Sequence, residues 1–318
     1  MTKCWILTEQ GLKGTENQCI ALARAAGLDY ELKSIKLRNP WKFFTPYIRH
    51  FSPMALASGS SELVAPNNNE WPDVLIAAGR KSIAAALWVK AQSGGRTKLV
   101  VLLDPKIKDK NFDLVIVPIH DGYEGENVQK ITGALSLVTA ETLSAAKQDF
   151  AAELEQLPAP RIAVLIGGNS RTHKITPKIA RLLVMQLKKL IQQNFSLMVT
   201  ASRRTPKEIQ TTLFKELTGP QIKLYDGNGT NPYQAYLAWA DAILVTEDSV
   251  SMAVEAISTG KPVYIIRLQG GSKRFKRFHD CLIEQGYARW FTGQVNDFSY
   301  NPPKDLENMA NIVKNMLT

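Results

Sequence analysis

Residues 241–266 read DAILVTEDSVSMAVEAISTGKPVYII, and the order of residue types in this stretch decides the fold. Ala242–Val245 is a short apolar run with the length and β-branched content of a buried strand. Thr246-Glu247-Asp248-Ser249 interrupts it, with Asp248 or Ser249 placed to cap a helix. Val250, Ala253, Val254 and Ile257 recur at helical spacing, Gly260 ends the helix, and Val263–Ile266 is a second buried strand. Strand, polar turn, helix and strand make a βαβ unit, whose right-handed crossover sets the turn at the carboxyl edge of a parallel sheet. Free N–H groups at that helix start suit an anion such as phosphate. Glu255, further along the helix, is placed to meet ribose hydroxyls, although an ordinary βα turn with a surface glutamate has the same spacing.

The alternation continues outward in both directions. Towards the N-terminus, Arg161–Ile166 and Leu197–Thr200 read as strands, each closed by a polar turn, with a helix over Pro177–Ile191 between them. Ile222–Tyr225 is a further strand, followed by the glycine-rich loop Asp226–Asn231. Before the stiff Pro158-Ala159-Pro160 linker the same rhythm appears in Cys4–Leu7, Val74–Ala77, Lys98–Leu103 and Leu114–Val117. The expected fold class is therefore α/β, with two Rossmann-like domains over residues 1–157 and 161–302. An amphipathic helix from Asp305, with Leu306, Met309, Val313 and Leu317 on one face, closes the chain.

A chain of 318 residues with 45% hydrophobic and 21% charged residues suits two soluble domains. No stretch approaches the roughly 20 apolar residues of a membrane span, and the start MTKCWILTEQ lacks a signal peptide's apolar region. A cytoplasmic protein is expected. Cys4, Cys19 and Cys281 fit neither a disulfide framework nor a zinc site.

The formal charge of +10 calls for an anionic partner. Lys33, Lys36, Arg38, Lys42 and Arg49 fall in a stretch without an acidic residue, as do Arg267, Lys273, Arg274, Lys276 and Arg277. In Asn39–Ala57, Trp41, Phe43, Phe44, Tyr47, Phe51 and Met54 mix with Lys42, Arg49 and His50. Aromatics beside cations suit a peripheral anchor on an anionic membrane surface. A helical excursion packed on its own domain is the alternative. Nucleic acid is not expected, since no RNA- or DNA-binding motif accompanies the charge.

Ligands of open α/β sheets sit at the carboxyl ends of the strands. In the second half those ends are Gly167-Gly168-Asn169-Ser170, Ser202-Arg203-Arg204-Thr205, Asp226–Asn231 and Glu247-Asp248-Ser249-Val250-Ser251. The glycine pair would let backbone N–H groups approach an anion, and Arg203 and Arg204 offer forked charge for phosphate. No GxGxxG, GxxxxGK[ST] or GxSxG pattern occurs, and the four histidines are scattered without metal-ligand spacing. In the first half the loop after the first strand carries Gly14, Thr15, Glu16, Asn17 and Gln18. Glu16 is a candidate general base, or simply a favourable helix-start charge. His120 and Asp121, after a buried strand, are a second acid–base candidate or a capped turn.

Blocks across nearly the whole chain carry a family resemblance: GLKGTENQCIALARA, AGRKSIAAALW, FDLVIVPIHD, VLIGGNS, SRRTP, NPYQAYLAWADAILVTEDSVSMAVEAISTGKPVY and KRFHDCLIEQGYARWFTG. Together they resemble the elongated-mitochondria family of plant mitochondrial-fission factors and bacterial glycosyltransferase-like relatives. That family is similar to GT-B glycosyltransferases, including the N-acetylglucosaminyltransferase that completes the peptidoglycan precursor.

The resemblance implies two domains facing across a cleft, with residues 303–318 returning to the first. A nucleotide-diphosphate sugar would bind the second domain, with no metal or other cofactor. Glu255 matches the ribose-holding glutamate, Gly167–Ser170 the glycine turn, and Asp248–Ser251 the diphosphate-facing helix start. Lys273, Arg203 and Arg204 would help the leaving group. The acceptor, lipid-linked or from the cell envelope, falls to the first domain, with Glu16 or Asp121 as base. Ser249 replaces a glycine of that transferase, and the first-domain loop lacks its histidine. A non-catalytic membrane- or protein-binding adaptor and a GT-B nucleotide-sugar epimerase are the alternatives on the same fold.

Overall fold

Continuous apolar runs such as Val74–Ala78 and Leu114–Pro118 are buried on both faces, which requires a sheet covered on two sides. The computed structural model, described here for residues 2–48, 50–63 and 70–317, divides into Met1–Leu137 with Lys304–Thr318 (unit 1) and Val138–Pro303 (unit 2).

Unit 1 contains β1 (Lys3–Glu9), β2 (Asp29–Ile35), β3 (Val74–Ala78), β4 (Lys98–Leu102), β5 (Leu114–Pro118) and β6 (Val128–Ile131). They form one parallel sheet in the order β2-β1-β3-β4-β5-β6. Cys4, Ile6, Val74, Ile76, Val100 and Ile116 face α1 (Lys13–Ala25) and the C-terminal helix Asp305–Asn315, whose Met309, Ala310 and Val313 join that core. Trp5, Leu7, Leu75, Leu99 and Val115 pack on the opposite side with Phe51, Ala55 and residues of α3 (Ile83–Gln92). Among the described residues between Asn39 and Ala57, only α2 (Trp41–Phe44) and a turn of 3-10 helix at Pro53–Ala55 are helical, so the expected helical excursion is mostly irregular chain there. Arg49, part of that expectation, lies outside the described residues.

Unit 2 opens with α4 (Ala140–Asp149) and α5 (Ala151–Leu154), a helical stretch interrupted at Phe150. The sequence reading placed residues 138–157 with the first domain. They pack instead in unit 2, where the Trp239 indole donates to the Lys147 carbonyl at 3.0 Å. The strands are β7 (Arg161–Ile166), β8 (His173–Lys174), β9 (Ser196–Ala201), β10 (Ile222–Tyr225), β11 (Ala242–Thr246), β12 (Val263–Ile266), β13 (Gln269–Gly270) and β14 (Arg289–Trp290). The main sheet is parallel with order β10-β9-β7-β11-β12-β14, and β8 and β13 form a separate antiparallel ribbon. Its helices are α6 (Pro177–Gln192), α7 (Lys207–Glu216), α8 (Tyr233–Trp239), α9 (Val250–Ile257) and α10 (Lys273–Glu284). In both units the strand order reverses direction, between β1 and β3 and between β7 and β11. Such switch points open a crevice at the carboxyl edge. Among the described residues no helix is long and apolar enough to cross a membrane.

Candidate functional site

The β7–β11 switch point of unit 2 is built around one carboxylate. Asp248 is buried, and its Oδ1 accepts from the Thr246 hydroxyl at 2.7 Å. Its Oδ2 accepts the Gly168 N–H at 3.0 Å and lies 2.8 Å from Nη2 of Arg204. Thr246 in turn accepts the Gly167 N–H at 2.7 Å. The β7 turn, the Arg204 loop and the start of α9 are thus tied through a single side chain.

This clasp corrects the role expected of Gly167–Ser170. The Gly167 and Gly168 N–H groups are buried and committed to Thr246 and Asp248. Asn169 N–H donates to the Arg204 carbonyl at 3.1 Å, and Ser170 N–H to the His173 carbonyl at 2.9 Å. No backbone amide of the turn is left for an anion. The glycines are required by packing: a Cβ on Gly167 would overlap the Asp248 carboxylate, and one on Gly168 the Arg204–Thr205 backbone. Asn169 Oδ1 accepts from Ile175 N at 3.1 Å, and Ser170 Oγ from His173 N at 3.0 Å, so both fix the path into β8. Ser202 likewise serves its own loop, accepting the Arg204 N–H at 3.1 Å.

The start of α9 remains available. Ser249 is its N-cap, accepting from Met252 N at 3.3 Å, which settles the choice between Asp248 and Ser249. The N–H groups of Val250 and Ser251 have no carbonyl one turn back within the helix, and both residues are half-exposed. The Arg204 guanidinium, half-exposed and held by Asp248, adds charge to this edge, and Arg203 next to it is exposed. Lys273, exposed, is the first residue of α10.

Glu255 is half-buried on α9 and accepts a short hydrogen bond from the Tyr233 hydroxyl. Burial pushes its carboxyl above the usual range, and the tyrosine partly opposes this. Burial and the nearby Glu255 raise Tyr233 well above an ordinary phenol. Glu247 accepts from Leu268 N at 2.5 Å; its carboxyl is also raised by burial, against the pull of His173 and Arg267.

Sequence reasoning missed His173. It is buried, its Nδ1 lies 3.0 Å from the Thr172 hydroxyl, and its ring meets Phe275 edge-on at 4.6 Å. The β8–β13 ribbon brings it there, and its two-residue strands leave no periodic signal.

In unit 1, α1 begins at Lys13, so Gly14 and Thr15 lie in its first turn and not in a loop. Glu16 is ion-paired with Lys13 at 2.7 Å, and Asn17 is exposed. Gln18 is buried, its Oε1 accepting from Leu135 N at 3.3 Å, so it braces the fold. His120 and Asp121 are buried together after β5, with His120 Nε2 3.9 Å from Asp121 Oδ1. At the β1–β3 switch point Glu9 pairs with Lys81, a contact between segments too far apart in sequence to suggest it. Among the described residues no three His, Cys, Asp or Glu side chains converge as metal ligands.

The two Rossmann-like units have the GT-B fold, and solved structures bear the likeness out. The UDP-GlcNAc 2-epimerase of Methanocaldococcus jannaschii superposes with a TM-score of 0.57 at 15% identity, over 99% of each chain. The UDP-GlcNAc 2-epimerase of Neisseria meningitidis, bound to UDP-GlcNAc, gives 0.51 at 12% identity over 99% of each chain. MurG of Acinetobacter baumannii gives 0.51 at 11%, over 99% of this chain and 91% of its own. The chain belongs to the mitochondrial fission ELM1 family, whose model matches residues 13–317. It is 27% identical to the mitochondrial fission protein ELM1 of Arabidopsis thaliana over 98% of this chain and 90% of that protein. An uncharacterized protein of Rickettsia prowazekii is 31% identical over 76% and 79% of the two chains.

Proposed function

We propose that unit 2 binds a nucleoside-diphosphate sugar at the β7–β11 edge and that the protein transfers the sugar to an acceptor hydroxyl. One pairing carries this reading: an accessible α9 start beside Arg204, and the Glu255–Tyr233 pair on the same helix. Glu255 lies five residues beyond Val250, about 7 Å along the axis, so diphosphate and ribose can be held by one element. The Val250 and Ser251 N–H groups, Arg203, Arg204 and Lys273 would meet charge growing on the leaving diphosphate. In this reading that cationic set serves without a metal. The acceptor hydroxyl attacks the anomeric carbon, the bond to the diphosphate oxygen breaks, and the proton passes to a unit 1 carboxylate, Glu16 or Asp121. Gly14, Thr15, Asn17 and His120 would line the acceptor side.

A UDP sugar is the first donor to try, because one of the fold neighbours is bound to UDP-GlcNAc. Isothermal titration against UDP, GDP, CMP and their sugars tests the reading. Saturable heat with one base is expected, weakened by Glu255→Ala. Unchanged affinity in that variant would remove the ribose assignment, and no heat with any nucleotide would favour the adaptor. Turnover of donor alone would mark an epimerase.

A second reading concerns membranes. Phe43, Phe44, Tyr47 and Met54 are 72%, 59%, 70% and 74% exposed, in the acid-free basic stretch around Lys36, Arg38 and Lys42. Large exposed aromatics among cations support peripheral contact with an anionic bilayer.

A further inference from the structure

A groove of about 770 Å³ runs along the outer side of α3 in unit 1, within the roughly 300–1,000 Å³ range of ligand pockets. Its floor is apolar, formed by Phe51, Ala84, Leu87, Trp88 and Ile107. Phe51 and Trp88 meet edge to face at 6.1 Å there. His50, Gln92, Lys108, Asp109 and Asn111 form the polar part of the lining, where the Asp109 carboxylate accepts from the backbone and side-chain amides of Asn111. The groove follows α3 from Ala84 near its start to Gln92 at its end, along the flank of the sheet. It therefore runs from near the carboxyl edge of the unit 1 sheet towards the opposite edge.

One wall is Tyr47, whose N–H donates to the Phe44 carbonyl at 2.8 Å. The groove thus opens beside the exposed aromatic patch. The apolar floor along α3 suits the part of a ligand that has no hydrogen-bonding groups of its own. The neighbouring basic stretch suits a negative head.

We propose that this groove takes one hydrocarbon chain of an anionic membrane lipid, entering past Tyr47 and leaving the head against the basic stretch. The proposal rests on the membrane-contact reading for its source of lipid, but not for the groove's ability to hold a chain.

The test titrates a dibrominated stearate, below its micellar concentration, into the full chain while tryptophan fluorescence is followed. Bromine quenches indoles it touches, and Trp88 lines the trough. Saturable quenching, reversed by unbrominated stearate, is expected. Ala91 is exposed and lines the groove, so Ala91→Phe fills it without entering the core. Denying a seat to even two methylenes raises the half-saturation concentration by roughly tenfold or more. Equal quenching in Ala91→Phe, or none in the wild type, overturns the proposal. A Phe43→Ser/Phe44→Ser variant should keep stearate binding but lose flotation with phosphatidylglycerol vesicles. Flotation without saturable quenching would retain the membrane reading and sink the groove. Quenching without wild-type flotation would retain the chain site, supplied by free fatty acid, and sink the membrane reading.

Discussion

Replacing Asp248 tests the clasp on which the nucleotide site is built. In Asp248→Ala the buried Gly168 N–H loses its acceptor, and the Thr246 hydroxyl loses its own. A buried group left unpaired costs about 1–3 kcal/mol. The Arg204 contribution is smaller, about 0–1 kcal/mol, because that guanidinium is 44% exposed and screened by water. The sum for alanine is about 3 kcal/mol. Asparagine can keep its carbonyl towards Gly168 and Arg204 while its amide donates to Thr246, so about 1 kcal/mol is expected. For a unit of this size each kcal/mol moves the midpoint by about 2–4 °C. Scanning calorimetry should therefore show about 6–12 °C lost in Asp248→Ala and about 2–4 °C in Asp248→Asn. If alanine left the midpoint unmoved, the clasp would not be a stabilising element. If asparagine were as damaging as alanine, charge and not hydrogen bonding would hold the loops.

Three further outcomes follow from the same site. Gly168→Ala should destabilise the ligand-free protein by about 3 kcal/mol or more, seen as loss of soluble yield, because its Cβ would meet backbone; normal stability with lost nucleotide binding would return the glycine to the ligand. Glu255 has a folded pKa raised by burial above its ordinary 4.5, so its share of stability is present below that value and lost as pH rises through the raised one. Denaturation of Glu255→Gln between pH 4 and 7 should remove that decline while Glu247, raised for the same reason, keeps its own; an unaltered slope would contradict the assignment. At pH 7 the same variant should bind UDP roughly tenfold more weakly, because one of the two carboxyl oxygens gives way to an amide nitrogen that cannot accept from a ribose hydroxyl.

Much of the fold was legible from local pattern. Val263–Ile266 is a strand as read, Ala242–Val245 extends by one residue to Thr246, and the helix between them starts where a polar residue can cap it. The alternation of strands and helices announced the parallel sheets. The Gly14 region misled, because two glycines read as a loop while the Thr15 and Glu16 N–H groups bond back to the Leu12 carbonyl and start a helix. The site was legible as a set of strand ends but not as a bonding pattern. Gly168 and Asp248 are 80 residues apart, and nothing local says that a carboxylate will reach a glycine amide before any phosphate does. His173 escaped for the same reason, since its neighbours Thr172, Phe275 and Glu247 come from three separate segments.

The placement of the C-terminal helix has a consequence for biosynthesis. Met309, Ala310 and Val313 complete one apolar face of the unit that the first strand begins, so that unit cannot close its core until the ribosome has passed them. Unit 2, whose residues form one uninterrupted segment, has everything it needs earlier. The domain translated first is therefore the one finished last, and the side of α1 that packs on the C-terminal helix waits uncovered while the rest of the chain emerges.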